Sequence, residues 1–235
     1  MDHHPHPYAF VAYSLIVIVG LAVFAILAST RRQRVPTGAQ NWGEWMYESF
    51  EGMVTSVTGP AGRKYTPLVG TLFLFILFSN LIGLMPGGVA PTASLNTTIA
   101  LALIVFVYVQ FEGIRANGIK GYFGHFAGGG QVPIALAPLL FVIELVGEIA
   151  KPLSLAIRLY GNMFGKEKVI LALIATFAIP LIKSYYFPLP IQFPILVFGV
   201  LVSFVQAFVF SLLTAIYLGL MTAHHDEHAH AEAHH

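Results

Sequence analysis

The sequence predicts an all-α integral membrane protein of about five spans, and three observations carry that prediction. Of 235 residues, 12 are Lys or Arg and 11 are Asp or Glu, so about one position in ten is charged against roughly one in four in a soluble domain. Apolar types fill 57% of positions and mean hydropathy is +0.76. That is more apolar side chain than a single core of 25.6 kDa can hide. Finally, long stretches run without any charge at all. Together these exclude a soluble enzyme and a disordered chain, and a net charge of +1 excludes a nucleic-acid binder. With no cysteine there is no disulfide framework, thiol nucleophile or Cys-based metal site, and the redox compartment is not legible.

A span needs ~20 residues to cross ~30 Å of hydrocarbon. Residues 8–28 form the first, uncharged span; 68–85 the second, ending at Pro86-Gly87-Gly88; and 95–111 the third, so that 68–111 holds two crossings. Residues 132–179 are too long for one upright helix and contain seven charged residues, whereas 191–221 contain none. The sequence thus predicts a long, tilted antiparallel hairpin over 132–221, broken at its tip by the Pro-rich run 180–190. Between spans one and two, residues 42–57 (WGEWMYESFEGMVTSV) read as an amphipathic surface helix, with Glu44, Glu48 and Glu51 on its wet side. Residues 222–235 read as a disordered His-rich tail. All of this forms a single membrane domain over 1–235.

The start of the chain lacks a basic n-region and its apolar run exceeds a signal h-region, so the first span is expected to be retained. Arg31, Arg32 and Arg34 follow span one, Arg63 and Lys64 precede span two, and Arg115 and Lys120 follow span three. All seven fall on one side when the N-terminus is outside. Five crossings then place the C-terminus in the cytoplasm. No internal repeat is visible, which argues against a transporter built from two related halves.

Chemistry is expected where the membrane cost of charge is tolerated. Glu144, Glu148, Lys151, Arg158, Lys166, Glu167 and Lys168 lie in one apolar element, and a mid-bilayer charge costs ~2.5–3.5 kcal/mol on insertion scales. At 100° per residue, Glu144, Glu148, Lys151, Arg158, Asn162 and Lys166 fall within an arc of about 80°, with Glu167 mostly outside it. The last span carries a matching polar stripe of Gln192, Gly199 and Gln206, with Ser203 and Tyr217 nearby. In an antiparallel hairpin, residues at one depth share an index sum. A turn centred near position 182 pairs Arg158 with Gln206 (sum 364) and Glu167 with Gly199 (sum 366). Glu167 then lies ~13 Å nearer the outside than Arg158, and Glu144 ~21 Å nearer the cytoplasm. A permanent cation flanked by displaced carboxylates has the form of two half-pathways separated by a barrier.

The run Glu144-Leu-Val-Gly-Glu-Ile-Ala-Lys-Pro-Leu-Ser-Leu-Ala-Ile-Arg158-Leu-Tyr-Gly-Asn162-Met-Phe-Gly165 resembles the signature of subunit a of bacterial F-type ATP synthases. So does Ser203-Phe-Val-Gln206-Ala-Phe-Val-Phe-Ser-Leu-Leu-Thr-Ala-Ile-Tyr217-Leu. Asn80-Leu-Ile-Gly-Leu-Met-Pro86 and Asn96-Thr-Thr-Ile-Ala-Leu-Ala-Leu are similar to the family as well. The likeness covers most of residues 65–221.

The resemblance implies the F0 stator ion channel of a multi-pass inner-membrane complex that carries out ATP synthesis. This chain would be no enzyme alone and would need no cofactor. Arg158 would meet each carboxylate of the rotating c-subunit ring, keep it ionised and block direct leakage between two proton half-channels. Gln206 would lie beside Arg158; Glu167 would serve the outer channel and Glu144 the cytoplasmic one. Asn162 and Ser94 would occupy other polar positions of the pattern. Glu148 and Lys166 join these pathway candidates, though Glu148 reads more as a solvated neighbour and Lys166 as snorkelling to the outer interface. Implied partners are the c-ring, the peripheral-stalk b subunits, the remaining F1F0 subunits and lipid. Two departures stand out. Gly199 replaces the His or Glu that many members carry seven residues before the Gln, and Lys166 replaces a small residue, as in some alkaliphilic members.

Rival readings are weaker. A proton-coupled secondary transporter should show repeats or broken helices, and a haem- or quinone-binding subunit needs histidines within spans. Glu144 could instead pair with Lys151 at the interface. The His-rich ends lack the spacing of a metal site, and no metal is expected.

Overall fold

The computed structural model describes residues 7–29, 38–85, 88–126, 136–173 and 192–222. Six α-helices lie among them: α1 (Pro7–Ser29), α2 (Ala39–Thr58), α3 (Thr66–Ile82), α4 (Leu95–Phe126), α5 (Ala137–Leu173) and α6 (Gln192–Thr222). Short 3-10 turns, Pro60–Tyr65 and Pro91–Ala93, lead into α3 and α4. Each opens on a proline, whose missing N–H costs nothing where no helical acceptor exists. The described residues contain no strand.

Four stretches are long and apolar enough to cross a bilayer: Tyr8–Ser29, Pro60–Ile82, Leu95–Ile119 and Leu196–Thr222. They overlap four of the five expected spans. The fifth expected span corresponds to α5, a single helix of 37 residues with Pro152 inside it. Its length is about 55 Å, but its charges separate it from the other four. The Pro-rich turn and the His-rich tail from residue 223 onward lie outside the described residues.

Helix α1 is apolar on every side, and among its large residues only Val17 is buried. It touches α2, α3 and the Pro91–Ala93 turn and leaves most of its surface open. Helix α2 is amphipathic as expected and spans the ends of α1, α3 and α6. Val54 is fully enclosed, while Trp42 and Trp45 stand outward in an edge-to-face pair. Glu44 and Glu48 are exposed. Glu51 departs from the expected wet side, turning to Arg63 at 2.9 Å.

The core forms where α3, α4, α5 and α6 meet. Its large members are Tyr65, Phe73 and Ile76 at α3, Leu101 and Val105 on α4, Leu155 and Leu159 on α5, and Phe210 on α6. Along α6 the residues Gly199, Ser203, Ala207, Ser211, Ala215 and Gly219 recur every fourth position, and all are buried. At 100° per residue such a ladder winds about 200° around the helix from end to end, an inclined ridge that meets different neighbours along its length. In lipid, where apolar burial gives little driving force, small residues let backbones approach and gain dispersion contacts. The approach is close at both ends: a Cβ on Gly199 would sit 2.6 Å from Leu84 Cδ2, and one on Gly219 3.3 Å from the Val57 carbonyl. At 199 the nearest obstacle is the end of the flexible Leu84 side chain, whereas at 219 it is a fixed backbone carbonyl.

Helix α4 is bent. Gly118 has φ 67° and ψ 167°, values an L side chain resists. On a straight helix Gln110 and Tyr122 would be ~18 Å apart along the axis, yet the Tyr122 hydroxyl reaches Gln110 Oε1 at 2.6 Å. The chain thus folds back on itself after Gly118. Asn117, just before the bend, donates from Nδ2 to the Met221 carbonyl at 2.9 Å, occupying one of the last carbonyls of α6, which lack helical partners.

Candidate functional site

Helix α5 meets its neighbours along Glu148, Leu155, Ala156, Leu159 and Met163, all buried. Its opposite side exposes Leu145, Val146, Ile149, Leu153 and Ile157. The polar arc read from the sequence straddles the boundary between these faces: Glu148 lies inside the packed seam, whereas Arg158 and Asn162 are exposed. One stripe in sequence is therefore two environments in the fold.

Arg158 makes no hydrogen bond or ion pair with any other described residue. One turn further on, Asn162 Nδ2 donates to Gln206 Oε1, a buried group of α6. Near the other end, the Lys151 ammonium lies 5.8 Å from the centre of the Tyr217 ring, within cation–π range. Both pairs share an index sum of 368, so the described parts of α5 and α6 run antiparallel. The expected sum of 364 is one helical turn out. The hydrogen bond to Gln206 thus comes from Asn162, one turn beyond Arg158, and the midpoint implied by the contacts is 184 where the sequence estimate took 182.

Glu148 corrects a second expectation. It is 2% exposed, not solvated. Its Oε1 accepts from Lys151 Nζ and its Oε2 from Gln110 Nε2 at 3.1 Å. Lys151 therefore pairs with Glu148, three residues away on the same helix, and not with Glu144. The Tyr122 hydroxyl fixes the Gln110 amide from its oxygen side. Burial pushes the Tyr122 phenol above its ordinary range, with the nearby Glu148 charge adding to that, so it stays a donor.

A further buried carboxylate was missed in the sequence. Glu112 on α4 is 4% exposed and accepts from Lys64 Nζ at 2.8 Å and the Tyr65 hydroxyl at 3.0 Å. Arg115 adds a longer contact at 3.6 Å. The available signal was a lone carboxylate closing an apolar run beside the cations of the Arg63-Lys64 and Arg115 loops. Charge counting sorted those cations by membrane side and did not pair them.

A family model described as ATP synthase A chain matches residues 11–219. The chain belongs to that family. It is 44% identical over 224 residues to ATP synthase subunit a of Geobacter sp. (strain M21), covering 94% of this chain and 88% of that protein. To subunit a of Geobacter sulfurreducens it is 45% identical over 211 residues, 88% of this chain and 85% of that one. The protein of that name from Desulfosudis oleivorans is 43% identical over 231 residues, with 97% and 93% covered.

The other expected site residues are spread over several settings. Glu144 is half-buried near the start of α5, and Ser94 half-buried before α4, next to the Pro91–Ala93 turn that packs on α5. That turn has a polar anchor of its own. Thr92 donates to Asn80 Oδ1, and Asn80 Nδ2 reaches the Ser203 carbonyl of α6 at 3.5 Å. The side chains of Glu167, Lys166 and Gln192 lie outside the described ones. Among the described residues no cluster of three His, Asp or Glu could hold a metal ion.

Proposed function

We propose that the chain is the stator ion channel of a rotary F-type ATP synthase in the bacterial plasma membrane, coupling proton flow to rotation of a c-subunit ring. The observation that carries the reading is Arg158 on an open, apolar face of α5, with no partner among the described residues. An intramembrane cation needs an anion, and here the anion must come from outside the described chain. A ring carboxylate arriving at the midplane supplies it. Arg158 keeps that carboxylate ionised while it passes, and its charge repels protons crossing directly between the two half-channels.

In this reading Glu167 serves the outer half-channel and Glu144 the cytoplasmic one, with Asn162, Gln206 and Ser94 as polar stations. Lys166 stands beside the outer route, and Glu148 beside the cytoplasmic one. The N-terminus is outside and the C-terminus cytoplasmic, and α5 and α6 form a tilted hairpin whose five-span bundle also contacts the b subunits. At ~55 Å, α5 exceeds the ~30 Å hydrocarbon layer and must lean. Arg158→Ala tests the proposal. It should abolish proton-driven ATP synthesis in membrane vesicles while the soluble sector still hydrolyses ATP. Robust coupled synthesis by an assembled Arg158→Ala complex would reject it.

A further inference from the structure

Lys151 poses a problem for an ion path that leaves Arg158 toward the cytoplasm. It lies seven residues from Arg158, about 10.5 Å along α5 and on nearly the same side. An uncompensated ammonium there would be a second fixed positive barrier in the very half of the helix through which protons must pass. Two cations at that separation, in surroundings of low dielectric, repel each other and any proton between them.

The fold meets this with a built device. Glu148 is 2% exposed, and its Oε1 accepts from the Lys151 ammonium. Its Oε2 is held from a different helix by Gln110 Nε2 at 3.1 Å. Gln110 is in turn oriented by the Tyr122 hydroxyl on its carbonyl oxygen at 2.6 Å, so its NH2 end must face the carboxylate. Tyr122 reaches that place only because α4 reverses at Gly118. The groups thus come from α4 and α5, while the Tyr217 ring of α6 stands 5.8 Å from the ammonium. An amide cannot pass a proton on without changing its own bonding, so Gln110 and Tyr122 position Glu148 and do not relay to it.

We propose that Glu148 is a positioning residue whose carboxylate, locked by Gln110 and Tyr122, cancels the charge of Lys151 and so keeps the cytoplasmic half-path open to protons. This rests on the ion-channel reading above. It differs from treating Glu148 as a stepping stone: what counts is the neutrality of the pair, not the presence of a titratable group at 148.

The two roles part in a double-mutant cycle. Glu148→Gln, Lys151→Gln and the double variant are built in the intact complex. Passive proton conduction is measured in vesicles stripped of the soluble sector and normalised to assembled subunit. Glu148→Gln should reduce conduction about tenfold by baring Lys151, and Lys151→Gln should reduce it less. The double variant, neutral again, should return to within about twofold of wild type. Tyr122→Phe, which removes one hydroxyl from the edge of the network, should give a two- to threefold loss and guards against misassembly of the Glu148 variant. A double variant no better than Glu148→Gln alone overturns the proposal, as does wild-type conduction in Glu148→Gln. Failure of the channel reading is seen separately, as coupled synthesis that survives Arg158→Ala.

Discussion

Glu112 and Arg158 each place a charge within a mostly apolar helix, and the chain treats them in opposite ways. Glu112 is enclosed, and its two oxygens meet the neighbouring pair Lys64 and Tyr65 and, on its own helix, Arg115. Arg158 is exposed and meets none of the described residues. A charge completed within its own chain ties elements together: here the Pro60–Tyr65 turn is tied to α4. A charge left open on an apolar face does nothing for this fold and costs free energy until something else arrives. Burial alone would have singled out Glu112, whose partners all lie within this chain, and passed over Arg158. The open cation is the one on which the proposed function rests, and the closed carboxylate serves the architecture.

The largest effect should come from keeping the charge at 158 and changing its shape. Arg158→Lys is expected to lower ATP synthesis about a hundredfold at fixed driving force, since a compact ammonium can lose its proton and lacks the planar fork. A lysine enzyme working at half the wild-type rate would break the contrast by making Arg158 a replaceable point charge. Glu112→Gln should do the reverse. It should lower stability by about 1–2 kcal/mol, less than for a fully buried pair because Lys64 and Arg115 are more than half exposed. The readout is a lower thermal midpoint and less assembled subunit, with synthesis per complex within twofold of wild type.

A smaller and sharper test concerns register. The chain has no cysteine, so paired substitutions can be read without background. Asn162→Cys with Gln206→Cys should be bridged by a short thiol crosslinker several-fold faster than Arg158→Cys with Gln206→Cys, because a turn of helix is ~5.4 Å. Equal rates would return the pairing to the sequence estimate. The smallest effect should be at the ladder on α6. Gly199→Ala drives a methyl toward Leu84 and is expected to cost up to about 1 kcal/mol, with Leu84→Ala in the same chain recovering it. A loss that Leu84→Ala leaves untouched would mean that position 199 acts through something other than packing.

How much of this was legible beforehand depended on the range of the interaction. Hydropathy reports one helix at a time, and the apolar runs now seen as α1, α3, α4 and α6 stood out clearly. So did the cation at 158, since an Arg amid some forty mostly apolar residues needs no partner to be noticed. What the sequence hid was contact between helices. The 80° arc grouped Glu148 with Arg158, although α4 covers one and not the other. Index sums depend on where a proline-rich turn is centred, and an error of two residues there displaced Gln206 by a full turn. Tyr122 meets Gln110 only through a reversal at one glycine, which no periodicity contains. Gly199 stood out in the sequence as a departure from the family pattern, and its place in a four-residue repeat against Leu84 became visible only in the fold.

The two places where α5 is tied to α6, Asn162 to Gln206 and Lys151 to Tyr217, are eleven residues apart, or ~16 Å along the axis. Arg158 lies between them. Under the proposed function, every ring carboxylate passing Arg158 would tug sideways on it. A helix pinned at one point would pivot under such a load, but one pinned on both sides of the loaded residue acts as a beam on two supports. The load would then pass to α6 and on to α3, against which α6 packs. Torque on such a stator would be met by bending stiffness, and the arginine would keep its station from one carboxylate to the next.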